Sequence, residues 1–336
     1  MTRPRVLVLS GPTLFESFFD RPRRSRLSRS FAWTRVAGKR VTPAMRASLA
    51  DADALLTTWD SPKFDEGLLT LAPRLRIVSH CGGEVKGRFA RPLFERLTIA
   101  NAPGPMAHLV AELAVTFLLM AVRRVDEYRE ALRRPSNRIY ETLHLEGAGP
   151  ETLRGRRVGL LGFGRIGRET ARLLRPFRPR LLVHDPYVPD ERVRRAGATP
   201  VSLQHLLRAS EHLVIAAALT GETRGLLDRA ALRRLRDGAT VVNIARGGLV
   251  DLDALAAEVR SGRLRCAIDV TDPLEPLPVR HPLRRMRGAV LTPHVGSAAV
   301  EVRLAMADIV LDNLERFFRG ERLRTRVVPP MLERMT

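Results

Sequence analysis

The feature that most constrains this 336-residue chain is a GxGxxG motif placed between an apolar strand pattern and a helical pattern. The apolar run 157–161 leads into the motif, and the helical pattern continues to Arg175. In such a setting Gly162 permits a tight turn, Gly164 lets a pyrophosphate approach the backbone, and Gly167 lets helix and strand pack closely. The motif therefore predicts a dinucleotide-binding Rossmann unit. The residues predicted to contact the dinucleotide here are Gly162, Phe163, Gly164, Arg165, Ile166 and Gly167.

An acidic residue ends the next predicted strand, 181–185. Asp185 lies 18 residues after Gly167, where a carboxylate would accept hydrogen bonds from the adenosine ribose hydroxyls and repel a 2′-phosphate. This spacing predicts NAD as the cofactor in preference to NADP. Two alternatives stay open: Asp185 caps the turn before Pro186, or nearby arginines accept a 2′-phosphate. Those arginines are Arg192, Arg194 and Arg195.

Strand and helix patterns alternate on both sides of a Pro/Gly break at 101–104. Before the break, a helix is predicted at 42–50, with Thr42 as N-cap and a proline in its first turn. After the break we expect a long apolar helix at about 107–124, then a polar, irregular arm at 125–150. The predicted strands are 6–9, 54–58, 76–79 and 97–101 in the first series, and 157–161, 181–185, 212–218, 240–245, 266–270 and 289–292 in the second.

This alternation predicts an α/β protein with two Rossmann-like or flavodoxin-like domains, each built on a parallel sheet covered by helices. An amphipathic helix after Ser297, ending near Gly320, is expected to pack back on the first domain. The coenzyme domain is then inserted in the substrate domain, and we expect the cleft between them to close on the substrate. The predicted boundaries are 1–104 and 299–336 for the flavodoxin-like substrate domain, and 105–298 for the NAD-binding Rossmann domain.

Three later strand patterns end in polar residues, at the edge where open α/β sheets bind ligands. Arg246 follows the first, and a guanidinium can hold a carboxylate by two parallel hydrogen bonds. The second is followed by Asp269, Asp272 and Glu275, and the third by His294. Together they offer a carboxylate anchor, a proton donor and an acid that stabilises the protonated imidazole, which hydride transfer to a 2-oxo acid requires. Taken alone, a strand-end arginine such as Arg246 is often a salt-bridging residue in a chain with this many arginines, and a histidine such as His294 is more often packed than catalytic.

These segments resemble the NAD-dependent D-isomer-specific 2-hydroxyacid dehydrogenases over about residues 77–307. The matching segments are NAPG at 101–104, VAE at 110–112, the GxGxxG unit, LTGETRGLL at 219–227, NIARG at 243–247, DV at 269–270 and PH at 293–294. The resemblance implies that His294 is the acid/base and Glu275 its partner. It also implies that Arg246 binds the substrate carboxylate and carbonyl.

The resemblance assigns further residues to coenzyme and substrate. It implies that Asp269 holds the nicotinamide amide and that Gly82 and Gly83 offer backbone N–H groups to the substrate carboxylate. Three more residues in or beside the matching segments are predicted to contact the coenzyme, namely Thr220, Ala245 and Gly296. The long helix after Pro105 and the arm that follows resemble the family's dimer-forming elements, so a homodimer is expected.

The chain departs from the family's pattern in two places. The family's glutamate usually falls five residues after the Asp of the DV pair, but Leu274 stands there and Glu275 comes one later. A one-residue insertion would restore Glu275; the alternatives are that Asp272 substitutes or that the partner is missing. The loop at 79–84, SHCGGE, also differs from the commoner glycine-rich form, so the sequence does not name the acid. Several first-domain positions are plausible substrate-facing residues, namely His80, Cys81, Lys86 and Met106.

A net charge of +21 raises the possibility of a nucleic-acid partner. All but three of the 57 Lys and Arg residues are arginines spread along the chain, which indicates coding bias more than a DNA-binding surface. The densest segment, 21–29, is expected to be solvated surface, with a phosphate or partner site as the alternative. Cys81 and Cys266 lack zinc-site spacing, so no metal is expected. No apolar run approaches the roughly 18 residues of a spanning helix, and the first residues do not form a secretory signal, so a cytoplasmic protein is expected.

Three functions therefore compete. An NAD-dependent enzyme would interconvert a small D-2-hydroxy acid and its 2-oxo acid. An NAD(H)-sensing, corepressor-like binding protein on the same scaffold would bind the cofactor without turnover, and a nucleic-acid-binding protein would carry a localised basic face. The presence of Arg246, His294 and a nearby acid favours the enzyme.

Overall fold

The computed structural model describes residues 3–133, 138, 141–142 and 151–335 of the chain. The chain forms two compact units, which we call unit 1 (Met1–Met106 with Ala298–Thr336) and unit 2 (Ala107–Ser297). Which unit binds the substrate and which the coenzyme stays a prediction at this point.

Unit 1 is built on a five-stranded parallel sheet with the order β2-β1-β3-β4-β5, the order of flavodoxin-like folds. Its strands are β1 (Arg5–Leu9), β2 (Ala32–Val36), β3 (Ala54–Thr57), β4 (Ile77–His80) and β5 (Thr98–Asn101). The helices between them are α1 (Pro12–Phe18), α2 (Arg21–Ser30), α3 (Pro43–Ala50), α4 (Leu68–Leu71) and α5 (Leu93–Arg96). Alternate residues of a strand point to opposite faces. Leu7 and Leu55 therefore belong to one core, and Val8 and Leu56 to another.

The four strands predicted in the first hundred residues are confirmed to within one residue at their ends. The predicted helix at 42–50 is α3, and the Thr42 hydroxyl accepts a hydrogen bond from Met45 N–H at 3.3 Å as its N-cap. Strand β2 is missing from the predicted set. It is an edge strand whose residues, AWTRV, are partly or fully exposed, so it lacks the apolar run by which buried strands are recognised.

Unit 2 is built on a seven-stranded parallel sheet with the order β12-β11-β10-β9-β6-β7-β8. This order extends the Rossmann arrangement by one strand, with its reversal between β6 and β9. The strands are β6 (Arg157–Leu161), β7 (Arg180–His184), β8 (Thr199–Pro200), β9 (His212–Ile215), β10 (Thr240–Asn243), β11 (Arg265–Ile268) and β12 (Ala289–Leu291). The helices from Met106 to this sheet's end are α6 (Met106–Val122), α7 (Val125–Leu132), α8 (Arg165–Leu174), α9 (Asp190–Arg195), α10 (Leu203–Ala209), α11 (Arg229–Arg233) and α12 (Leu252–Arg260). Short 3-10 helices cover Arg175–Phe177, Gly247–Leu249 and Pro282–Arg285.

All six strands predicted after residue 156 are confirmed. Strands β9, β10 and β11 end earlier than predicted, at Ile215, Asn243 and Ile268. Ala218, Ala245 and Asp269 therefore lie in loops at the carboxyl edge of the sheet. Strand β8 was outside the predicted set because it has only two residues, one of them Pro200.

The predicted long apolar helix is α6. The prediction that 125–150 is irregular is wrong for its first part, because α7 begins at Val125. This helix is held by Glu127, whose carboxylate binds Arg124 at 2.7 Å and Arg265 at 3.2 Å. Most of 134–150 lies outside the described residues. Of the helices described, none is by itself long and apolar enough to cross a membrane; α6 and α7, bent by 55°, meet that criterion together on length and composition alone.

The chain returns to unit 1 with α13 (Val300–Phe318), which a 3-10 helix at Pro329–Arg334 follows. As predicted, the amphipathic helix packs on the first domain. Met306, Val310 and Leu314 are fully buried in the same core as Val8 and Leu56.

The arginine-rich segment 21–29 is only partly the solvated surface that the sequence predicts. It forms α2, and two of its five arginines bind carboxylates of α13, while Arg21 and Arg29 are exposed. Arg23 Nη2 lies 2.5 Å from an Asp308 oxygen, and Arg26 Nη2 lies 2.6 Å from a Glu315 oxygen. Part of this local charge therefore attaches one helix of unit 1 to another, a contact between segments almost 300 residues apart that no local pattern reveals.

The buried His212, at the start of β9, makes the stability of unit 2 sensitive to acid. Neither of its ring nitrogens has a hydrogen-bond partner among the described residues, and burial lowers its pKa from 6.5 to about 4. Between these two pH values the unfolded chain binds a proton that the folded chain does not. The unfolding free energy is therefore unaffected by His212 above about pH 6.5 and decreases as the pH drops towards 4.

We expect His212→Leu to remove this acid sensitivity. Because of His212, the unfolding free energy of the wild type should fall by on the order of 2 kcal/mol between about pH 7 and pH 5. The variant should not show this decrease. At neutral pH the variant should be as stable or more stable, since an apolar side chain leaves no unpaired buried nitrogen. Urea unfolding at both pH values tests this, with the exposed His205→Gln as control. Equal losses in the wild type and His212→Leu would disprove the assignment.

Candidate active site

The glycine motif forms the turn between β6 and α8. Gly162 has φ +94°, and a Cβ there would lie 2.6 Å from the backbone of Ala217. A Cβ at Gly167 would overlap the carbonyl oxygen of Gly162. Gly164 is the N-cap of α8 and has open space where its Cβ would be. Because helix N-termini present free N–H groups, this open space suits the pyrophosphate of a dinucleotide.

Asp185 follows β7 and closes the same turn. Its carboxylate accepts hydrogen bonds from Phe163 N–H at 2.7 Å and Tyr187 N–H at 2.9 Å. Asp185 also lines a cavity of about 330 Å³ together with Pro186, Asp190 and other residues after β7 and β8. The carboxylates of Asp185 and Asp190 at this cavity would repel the 2′-phosphate of NADP, in agreement with NAD as the cofactor.

The three arginines that keep NADP open lie on α9. Arg194 binds Asp190 at 3.0 Å and Arg195 binds Glu191 at 3.3 Å. Two of the three guanidinium groups are thus engaged with carboxylates of their own helix, which weakens the argument for a 2′-phosphate site.

The remaining predicted coenzyme residues lie at the carboxyl edge of this sheet or in α8. Phe163 is fully buried, and Arg165 and Ile166 open α8. The backbone N–H of Thr220, in the loop after β9, donates a hydrogen bond to Thr223 Oγ1 at 2.8 Å. Ala245 is buried after β10.

Arg246 projects from a turn that Asn243 fixes at the end of β10. The Asn243 side chain accepts from Ala245 N–H at 3.1 Å and donates to the Arg246 carbonyl at 3.0 Å. The Arg246 guanidinium donates to the Ala245 carbonyl at 2.7 Å. A Cβ at the next residue, Gly247, would overlap the backbone of Thr271, so this turn packs directly on the loop after β11.

His294 and Glu275 are in contact. His294 Nδ1 lies 2.6 Å from a Glu275 carboxylate oxygen, and the other oxygen of Glu275 accepts from Thr271 N–H at 3.1 Å. Asp272, the alternative partner, instead binds Arg224 at 3.2 Å. The geometry therefore pairs Glu275 with Nδ1 of His294. Nε2 is the ring nitrogen that Glu275 does not contact.

Asp269 fixes the turn that carries His294. It is buried, with 2% of its surface exposed, and accepts hydrogen bonds from Thr292 Oγ1 at 2.5 Å, Val295 N–H at 2.9 Å and Gly296 N–H at 3.0 Å. The His294 N–H donates to the Asp269 carbonyl at 2.8 Å. His294 has φ +56°, a backbone conformation that these bonds hold in place.

In unit 1 the predicted substrate loop follows β4. Gly82 N–H donates to the His80 carbonyl at 2.9 Å, whereas the described residues provide no acceptor for Gly83 N–H. The Asn101 side chain donates to the Gly83 carbonyl at 2.7 Å. Gly83 is thus the better-placed of the two donors, and the role of both remains a prediction.

The prediction of four substrate-facing residues in the first domain is wrong for two of them. His80 and Cys81 are fully buried, because the chain remains buried through Gly82, two residues beyond β4. His80 Nδ1 lies 2.9 Å from Thr57 Oγ1, and burial, with the charge of Arg88, lowers the His80 pKa to about 3. Burial likewise raises the pKa of the Cys81 thiol. Neither side chain therefore serves as a proton donor or nucleophile toward a substrate. Lys86 is exposed and Met106 partly so.

Three residues that position the site escape prediction from sequence. Asn243, Thr271 and Thr292 each hydrogen-bond a predicted functional residue or its turn. All three stand beside the motifs that identify Arg246, Glu275 and His294, so proximity in sequence was the available signal. In the part of the chain that the structure describes, no three His, Cys, Asp or Glu side chains lie close enough to hold a metal ion.

Comparison with known proteins identifies the family. The model of the "D-isomer specific 2-hydroxyacid dehydrogenase, NAD binding domain" matches residues 115–296. A glyoxylate reductase of Aeropyrum pernix is 36% identical over 287 residues, which cover 84% of this chain and 83% of that protein. A D-3-phosphoglycerate dehydrogenase of Mycobacterium leprae is 33% identical over 283 residues, which cover 82% of this chain and 51% of that protein. The chain thus spans about half the length of that second relative.

Solved structures agree with this result. The NADPH-dependent glyoxylate/hydroxypyruvate reductase of Sinorhizobium meliloti, determined with NADP and malonate, superposes with a TM-score of 0.77 at 28% identity, over 99% of this chain and 98% of that one. The prediction of two α/β domains on parallel sheets is confirmed. The chain belongs to the D-isomer-specific 2-hydroxyacid dehydrogenases, and it is an NAD-dependent oxidoreductase of that family.

Proposed function

We propose that this enzyme interconverts a small D-2-hydroxy acid and its 2-oxo acid, with His294 as general acid/base and Arg246 as carboxylate anchor. The observation that carries the proposal is the contact of His294 Nδ1 with Glu275 at 2.6 Å. Arg246, Asp269 and His294 follow β10, β11 and β12, which are neighbours in one parallel sheet. Their side chains therefore start from the same edge.

The dinucleotide supplies or accepts the hydride when it is bound. During reduction, Arg246 holds the substrate carboxylate and polarises the 2-oxo group, and His294 donates a proton from Nε2 to the 2-oxo oxygen. During oxidation, neutral His294 removes the hydroxyl proton. Glu275 stabilises the protonated imidazole and fixes the tautomer.

The other predicted residues orient the reactants. Asp269 holds the turn of His294 and would hold the nicotinamide amide of bound NAD, while the N–H groups of Gly82 and Gly83 would donate to the substrate carboxylate. In this scheme residues 1–104 and 299–336 bind the substrate, and residues 105–298 bind NAD. Closure of one domain on the other would exclude water from the reaction.

We also propose a cytoplasmic homodimer without a specific nucleic-acid partner. The exposed apolar side chains Val125 and Leu132, 46% and 71% exposed on α7, support a contact between subunits, since such residues are usually covered. The molar mass of the purified protein in solution tests the dimer, and a monomer at all accessible concentrations would contradict it.

A substrate panel tests the proposed reaction. We expect NADH to be oxidised with at least one of glyoxylate, hydroxypyruvate, pyruvate or a longer 2-oxo acid, and NADPH to be a poorer donor because of Asp185 and Asp190. The loss of NADH absorbance measures both. Protein that binds NADH but oxidises it with none of these acids would instead support a cofactor-sensing role.

A further inference from the structure

Arg303, in the first turns of α13, is a partly buried arginine without an acidic partner. Among the described residues its side chain has neither a hydrogen bond nor an ion pair, and its Nε is fully buried. Withdrawing the Nε–H of a guanidinium from water is unfavourable unless a hydrogen-bonding partner replaces the water. The absence of a partner therefore needs a reason.

Two arginines of α2 that contact the same helix are paired with carboxylates. Arg23 binds Asp308 at 2.5 Å and Arg26 binds Glu315 at 2.6 Å. Asp60 follows Trp59, one of the residues that Arg303 contacts. Its carboxylate accepts hydrogen bonds from Gly11 N–H at 2.8 Å and Thr58 Oγ1 at 2.6 Å. Asp60 is thus engaged with the loop after β1.

Two aromatic rings hold the Arg303 guanidinium. Its central carbon lies 5.3 Å from the Trp59 ring and 6.0 Å from the Phe18 ring, and these two rings meet edge to face at 5.0 Å. Cation–π contact fixes a guanidinium while leaving its N–H groups unused. The charge is therefore held in a defined position with donors still available.

The position lies beside the predicted substrate loop of unit 1. Trp59 is the second residue after β3, and Gly82 is the second after β4. Trp59 Nε1 lies 2.9 Å from the place that a Cβ of Gly82 would occupy. Arg303, Trp59 and Gly82 thus share the carboxyl edge of the sheet, where ligands bind in open α/β folds.

We propose that Arg303 binds a second oxyanion of the substrate, at the end remote from the 2-oxo acid group. The preferred substrate is then a 2-hydroxy acid that carries a carboxylate or phosphate at its other end. This inference rests on the proposed function, in which Arg246 holds the first carboxylate. It adds a second, separate anchor that selects among 2-hydroxy acids.

Matched substrate pairs test this inference. The pairs are 2-oxopentanedioate with 2-oxopentanoate, and phosphohydroxypyruvate with hydroxypyruvate, so that each pair differs in one oxyanion and the two pairs separate carboxylate from phosphate. We expect the wild type to prefer the dianionic member of at least one pair by about ten-fold or more in kcat/KM. Arg303→Gln should abolish the preference through KM, and Arg303→Lys should keep part of it.

A control variant separates anion binding from loss of an aromatic contact. Arg76 also lies over two rings of unit 1, 5.6 Å from Phe317 and 5.0 Å from Phe318. Its position precedes β4, at the amino edge of the sheet. Arg76→Gln should therefore leave the dianion preference unchanged.

A binding measurement keeps the inference independent of turnover. With NAD⁺ in place of NADH the 2-oxo acids cannot be reduced, and calorimetry gives their dissociation constants. Weaker binding of the dianions in Arg303→Gln, with the monoanions less affected, supports the inference even in a protein without turnover. Equal affinity of both members of each pair for the wild type, or a preference that survives in Arg303→Gln, overturns it. Absence of NADH oxidation with every acid would instead contradict the proposed function.

Discussion

Replacing His294 with asparagine should lower kcat by about 10²- to 10⁴-fold, the usual contribution of a positioned general acid or base. Glu275 occupies Nδ1 at 2.6 Å, so Nε2 is the nitrogen that exchanges a proton with the substrate. An asparagine side chain can still accept or donate a hydrogen bond, but it does not release a proton at neutral pH. Because the side chain of His294 is not among the predicted coenzyme contacts, NADH should bind with nearly unchanged affinity.

Two measurements define this result. Steady-state NADH oxidation gives kcat, and a fluorescence titration gives the dissociation constant of NADH. Glu275→Gln is the companion variant. Since it removes the carboxylate that contacts His294 Nδ1 at 2.6 Å, its kcat should also fall while its affinity for NADH stays unchanged. A His294→Asn variant that retains more than about a tenth of the wild-type kcat would exclude His294 as the acid.

The second large effect separates two glycines of one motif. Gly162→Ala should destabilise the fold, because φ +94° is strained for alanine and the new methyl would lie 2.6 Å from the Ala217 backbone. The backbone strain alone costs about 1–3 kcal/mol, and the overlap adds to it. Gly164→Ala meets nothing within 4 Å, so the fold should tolerate it. The added methyl would instead occupy the space expected for the pyrophosphate.

Thermal unfolding and NADH titration distinguish the two variants. Gly162→Ala should lower Tm by at least about 4 °C. Gly164→Ala should keep the wild-type Tm and weaken NADH binding by about ten-fold or more. If Gly164→Ala bound NADH as tightly as the wild type, the dinucleotide would not approach this turn as proposed.

Much of the fold follows from local patterns. The alternation of apolar strands with helices, the Thr42 cap and the glycine motif each depend on residues close together in the chain. For that reason the predicted strands of both sheets agree with the structure. The missing strands, β2 and β8, are an exposed edge strand and a two-residue strand, which have no strong apolar pattern of their own.

The site was only partly predictable. Residues at strand ends suggested Arg246 and His294, but the choice between Glu275 and Asp272 as histidine partner depends on how the loop after β11 folds. Thr271 N–H binds one oxygen of Glu275, while Arg224 takes Asp272. The sequence favours Glu275 only through the family resemblance, because the pairing itself depends on distances between side chains after folding.

By itself, the sequence determined the dinucleotide motif, the alternating α/β architecture and the candidate residues at the carboxyl ends of the strands, since short-range backbone geometry and hydrophobic periodicity encode all of these. Only the tertiary structure decided which carboxylate meets His294, that α2 is attached to α13 by ion pairs, and that Arg303 is held by two aromatic rings with no acidic partner among the described residues. Side-chain contacts across long sequence separations depend on packing, and packing is fixed only when the whole chain has folded.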